Sequence, residues 1–106
     1  MKNMRNVLHE ILGEDVSSGE ALRAFRVKAG ISQDQMQEIT GVARSNISAL
    51  ENDRMEMTSH YAIIFGAALK IHPSEILFPN GKVAKTDEIL KIEKKAAAFQ
   101  KKRIAV

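Results

Sequence analysis

The stretch ISQDQMQEITGVARSNISALEND, from Ile31 to Asp53, constrains the chain most. Apolar residues recur there at steps of three and four on both sides of Gly41-Val42-Ala43, so it reads as two short amphipathic helices joined by a tight hinge. Ser32 has the short hydroxyl of a helix N-cap, Met36 with Ile39 or Thr40 forms an inner side, and Gly41 suits the residue that ends a helix. A second helix from Arg44 to about Glu51 turns Ala43, Ile47 and Leu50 inward. Arg44, Ser45, Ser48 and Asn52 then fall on the opposite side. Ordinary solvated helix surface is rich in Lys and Glu; this face instead carries side chains shaped for hydrogen bonding to a partner.

The remaining segments are helical by the same criterion. Met4, Leu8, Ile11 and Leu12 give a short amphipathic N-terminal helix stopped at Gly13, and Glu14 to Gly19 reads as a linker. Ser18 is the expected cap of a helix from Gly19 to about Ala29, with Leu22, Phe25 and Ala29 inward. Thr58 or Ser59 caps a helix whose inner stripe is Tyr61, Ile64, Phe65, Ala68 and Leu69, and Pro73 opens one more turn to Leu77. From Thr86 to Arg103, Ile89, Ile92, Ala96 and Phe99 recur like a short coiled-coil seam among lysines. No strand alternation appears, so the chain is expected to be all-α. It divides into residues 1–16, 17–81 and 82–106.

Composition removes whole classes of chemistry. The sequence has no cysteine, which excludes disulfides, thiolate zinc sites and iron–sulfur clusters. His9, His60 and His72 show no metal-ligand spacing, and there is neither a nucleophile elbow nor a glycine-rich phosphate loop, so no enzyme, metal or cofactor is expected. The apolar runs are too short for the roughly 20 residues of a membrane span, and residues 1–15 lack the features of a signal peptide, which implies a cytoplasmic protein without membrane contact. The formal charge is +3, distributed as −1 over residues 1–16, −1 over 17–81 and +5 over 82–106. A nucleic acid binding to the central region must therefore be held by a few placed groups and helix N-termini, with the basic tail adding sequence-independent attraction.

Two short helices joined by a tight turn inside a small helical domain make a helix-turn-helix, whose second helix enters the DNA major groove and meets base edges with its first residues. The run SQDQMQEITGVARSNISALEN resembles the phage-repressor-like, or xenobiotic-response-element, family of bacterial and phage regulators, and the likeness extends from about Gly19 to Leu77. "GV" followed by "ISALEN" is its most specific part. The resemblance implies a five-helix repressor-like DNA-binding domain, here with an added N-terminal helix and a C-terminal helix. It also implies that Gln33 binds a phosphate and braces the recognition helix. Arg44, Ser45 and Asn46, with Ser48 and Ala49 one turn on, correspond to base-contacting positions; Asn46 suits a phosphate equally well. Asn52 and Arg54 match positions that grip the backbone. An arginine of the first helix pairs with the glutamate of the "LEN" signature in this family, which assigns Arg26 and Glu51 to holding the fold.

Three residues depart from the family pattern. Gln37 stands where a small residue lets the two helices approach, Ala43 replaces the Ser or Thr cap of the recognition helix, and Asp53 replaces a glycine. The resemblance implies a sequence-specific double-stranded-DNA-binding repressor acting as a homodimer. A second reading is an antitoxin whose appended segment holds a toxin protein while the domain autoregulates its operon. A third, a protein-binding adaptor without DNA binding, draws on the three departures.

Overall fold

The structure, a computed structural model, describes residues 16–81 and 85–104, with only the backbone of residues 102–104. The expected N-terminal helix lies outside the described residues. Among the described residues six helices follow in order: α1 (Ser18–Lys28), α2 (Gln33–Thr40), α3 (Arg44–Glu51), α4 (Ser59–Leu69), α5 (Ser74–Leu77) and α6 (Asp87–Ile104). Among the described residues there is no strand, as the sequence periodicity predicts. The first five helices close around Leu22, Phe25, Met36, Ile47, Leu50, Phe65 and Ile76, all buried.

Local chemistry sets the helix starts. Ser17, and not Ser18, caps α1: its hydroxyl accepts from the Glu20 backbone N–H, and the Glu20 carboxylate accepts from the Ser17 N–H in return. This reciprocal box needs a Glu or Gln three residues after the cap, which Ser17 has and Ser18 lacks. Ser18 instead donates to the Leu77 carbonyl at 3.2 Å, tying α1 to α5. Ala29, expected inward, is exposed because α1 stops at Lys28; Ala21 and Arg26 complete its buried face. Ser32 and Gln35 form a second box at the start of α2, and Thr58 caps α4. Val16 joins the core, and the Asn80 side chain clasps it by accepting from its N–H and donating to its carbonyl, each at 3.1 Å.

The inner stripe of α4 differs from expectation. Ala62, Phe65 and Gly66 are its buried residues, whereas Tyr61, Ile64, Ala68 and Leu69 are half-buried and Ile63 is exposed. A helix apolar on nearly every side has no polar face to fix its rotation, so packing decides. Gly66 decides it here: a Cβ there would stand 2.8 Å from the Ile71 carbonyl oxygen, so only glycine admits the returning chain.

Two contacts position α3. Gly41 ends α2 at φ 79°, in the left-handed region. Ala43 then offers no side-chain cap, but the Gln37 side-chain carbonyl accepts the Arg44 backbone N–H at 2.7 Å. The long side chain of Gln37 thus supplies the cap that Ala43 lacks. Ala43, expected inward, is exposed; Val42 is the hinge residue that packs half-buried against the core. At the other end, Asp53 takes φ 57° and turns its carboxylate onto the start of α1, accepting from the Gly19 N–H at 3.1 Å and the Ser17 hydroxyl at 2.7 Å. A Cβ on Gly19 would lie 2.3 Å from the Leu50 carbonyl oxygen, so the two helix ends meet at backbone distance.

Arg26 and Glu51 form the buried pair that the family likeness implies. The Arg26 Nε and Nη2 donate to the two Glu51 oxygens at 2.6 and 2.9 Å, and Nη1 donates to the Ile31 carbonyl. The hydrogen bonds to Glu51 raise the Arg26 pKa above its ordinary value against the opposing effect of burial. The arginine therefore keeps its charge in spite of being buried.

Removing one member should leave the other charge buried without a partner, so Arg26→Ala is expected to cost about 3–5 kcal/mol in urea unfolding. A loss below 1 kcal/mol would refute this role. Gln37→Ala should cost about 1 kcal/mol, the ordinary value of a cap. Adding Ala43→Ser should recover most of that loss in the Gln37→Ala background and little beside the native Gln37; equal gains in both backgrounds would show that Gln37 is not the cap.

Candidate nucleic-acid interface

The candidate residues sit on three short pieces of backbone that the core holds rigidly. Ile47, Leu50 and Glu51 bury one side of α3. The 3.6-residue turn then forces its first residues outward, and Arg44 and Ser45 are exposed. Asn46, Ser48 and Ala49 are half-buried along the edges of that face. Ser48 was expected to be fully outward, but its flank is shared with the packed side.

Gln33, at the first position of α2, reaches the far end of α3. Its amide Nε2 donates to Glu51 Oε1 at 3.1 Å, which links α2 to the Arg26–Glu51 pair. The bracing role expected of it is thus present in the geometry, and the amide carries a second N–H for another acceptor. Asn52 lies exposed just after α3, where its amide donates to the Ser48 carbonyl at 2.8 Å. Arg54 is exposed on the following turn, its backbone N–H held by the Ala49 carbonyl at 2.8 Å.

Sequence reasoning did not anticipate Asp34. Its carboxylate accepts from Arg44 Nη1 at 3.1 and 3.2 Å, and both side chains are mostly exposed. An exposed pair of this kind is worth only about 0–1 kcal/mol, so it can orient Arg44 without fixing it. Ten residues separate the two positions, and only the crossing of α2 over α3 brings them together. The carboxylate of Asp53, by contrast, faces the N-terminus of α1, where a negative charge is stabilised by the helix dipole.

Among the described residues, no helix is long and apolar enough to cross a membrane. The chemistry available on this face is hydrogen bonding and cation placement across the width of one helix.

Comparisons with known proteins agree with this geometry. Residues 19–77 match the family model described as a helix-turn-helix domain. A search of the curated proteins returns no significant match. Among solved structures, the P22 c2 repressor in complex with a synthetic operator is similar with a TM-score of 0.57 at 28% identity, over 61% of this chain and 98% of that one. The restriction-modification controller protein C.AhdI from Aeromonas hydrophila gives 0.55 at 27% identity, over 58% and 94%. The clp gene regulator ClgR from C. glutamicum gives 0.54 at 25% identity, over 81% and 100%. With the tight turn, the exposed leading edge of α3 and a family match over more than half its length, the chain belongs to the repressor-type helix-turn-helix family of DNA-binding transcription regulators.

Proposed function

We propose that the protein is a sequence-specific double-stranded-DNA-binding transcriptional repressor that acts as a homodimer and reads the major groove with α3. The observation that carries this reading is the leading turn of α3, polar and exposed at Arg44 and Ser45 while Ile47, Leu50 and Glu51 lock the other side of the helix into the core. The groove, about 12 Å wide, accepts one helix and presents donor and acceptor patterns that only polar side chains distinguish. Similarity to a repressor solved with its synthetic operator supports the same use of this face.

In this reading Arg44 leaves Asp34 and forks onto a guanine, Ser45 and Ser48 meet base edges, and Asn46 takes a base edge or a phosphate. Gln33, Asn52 and Arg54 hold phosphates, which sets register without reading sequence. Asp34 acts as a competitor. A duplex must exchange its carboxylate for a base edge, so contacts of the wrong shape gain little from Arg44. Because residues 17–81 carry a charge of −1, most non-specific attraction comes from the +5 of residues 82–106.

The test is a binding series on a duplex selected from a random pool and on its scrambled counterpart. Arg44→Ala is expected to weaken the selected duplex by about 1–3 kcal/mol, roughly 5- to 150-fold, with little effect on the scrambled one. Arg54→Ala should weaken both alike and reduce the salt slope by about one. Equal losses on both duplexes from both variants would sink the division of roles, and no binding by the native protein at low salt would sink the reading itself. Asp34→Asn should tighten the scrambled duplex several-fold and narrow the ratio between the two; an unchanged ratio would remove Asp34 from the mechanism.

A further inference from the structure

The exposed stripe of α6 has an order of sizes as well as a position. Ile89, Ile92, Ala96 and Phe99 recur at steps of three, four and three and share one side of the helix. Ile92 and Phe99 keep 55% and 69% of their surface exposed. Charge is also ordered along the helix. Asp87, Glu88 and Glu93 fall in its first seven residues with Lys91 as the one base among them, whereas Lys94, Lys95 and Lys101 follow with no acid among them.

These two gradients distinguish the ways in which such a helix can meet a copy of itself. Parallel pairing sets Ala96 against the partner's Ala96 and Phe99 against the partner's Phe99, an empty layer beside a crowded one. It also opposes Glu88 to the partner's Glu93, since those positions flank neighbouring layers of the seam. Antiparallel pairing sets Ile89 against the partner's Phe99 and Ile92 against the partner's Ala96, so every layer joins an isoleucine to a residue of different size and no layer is made of two small or two aromatic side chains. The acidic half then lies along the basic half of the partner. Near the symmetry axis two Glu93 side chains approach on one flank, each already held by Lys85 of its own chain at 3.0 Å, and two Lys95 side chains approach on the other.

We propose that two copies of this chain pair through α6 in antiparallel orientation, with Ile89 facing the partner's Phe99 and Ile92 facing the partner's Ala96. The proposal rests on the dimeric part of the proposed function and is independent of how α3 meets DNA. Its occupant is a second copy because the charge gradient of α6 is complementary to its own reversal.

The absence of native cysteine makes single introduced thiols unique reporters. In the antiparallel register two copies of position 89 lie ten residues apart, about 15 Å at 1.5 Å per residue, whereas parallel helices place them side by side. The full-length chain is prepared with Ile89→Cys, with Phe99→Cys, and with the two variants co-expressed, and each is treated with a bismaleimide well under that length. The expected result is no covalent dimer from either variant alone and a covalent dimer from the mixture. Covalent dimers from each variant alone would overturn the orientation. Sedimentation of the native protein separates the remaining outcomes: a native dimer that no combination cross-links overturns pairing through α6 and leaves the dimeric reading standing, while a native monomer overturns both. Ile92→Glu should convert the dimer to monomer with the core melt unchanged, and a persisting dimer would also count against the proposal.

Discussion

The buried fork between Arg26 and Glu51 is the contact on which the arrangement of the reading helix depends. Arg26 belongs to α1 and Glu51 ends α3, while Gln33 opens α2 and Ile31 closes the loop before it; all four meet within hydrogen-bond distance. Two ions taken from water gain little net stability unless their geometry is nearly ideal, and apolar residues of the same volume often stabilise as well. What the planar guanidinium adds is direction, because its donors match a carboxylate in one plane only. The angle and rotation of α3 are thereby set from its C-terminal end, away from the side chains that face outward.

Residues that break the family pattern one at a time are coherent when taken in pairs. Gln37 is too long for its usual place, and Ala43 too short for its own, yet the first supplies the cap that the second lacks. Asp53 carries an unwelcome charge and a left-handed backbone, yet its carboxylate satisfies the N–H of Gly19 and the hydroxyl of Ser17. Aspartate is among the few side chains that tolerate the left-handed region, so the substitution keeps the turn while gaining a cap for another helix. A reading by single positions counts three weaknesses where the fold contains two exchanges.

Among the described residues, helix number, order and type were legible in the sequence because apolar residues recur at helical spacing from Leu22 to Leu77 and each break carries a glycine, an Asx pair or a proline. The Arg26–Glu51 pair was legible through the "LEN" signature. Rotations and partners were less so. The α4 stripe shifted because nine nearly continuous apolar residues leave the phase to Gly66 and the chain that crosses it. Ser17 was passed over for its neighbour because the deciding residue, Glu20, lies three positions on. The Asp34–Arg44 pair depends on the crossing of two helices, which no spacing along the chain reveals.

The clasp between Asn80 and Val16 has a mechanical consequence. Because one amide side chain holds both backbone groups of Val16, residues 16 and 80, near the two limits of the helix-turn-helix domain, meet at one spot. A load applied at Val16 or Asn80 is borne there, on the side of α1 and α5, before it reaches the turn between α2 and α3. The same neighbourhood of ends means that a short peptide bridging them, with a new opening cut elsewhere in a loop, would preserve the domain's wiring in circularly permuted form.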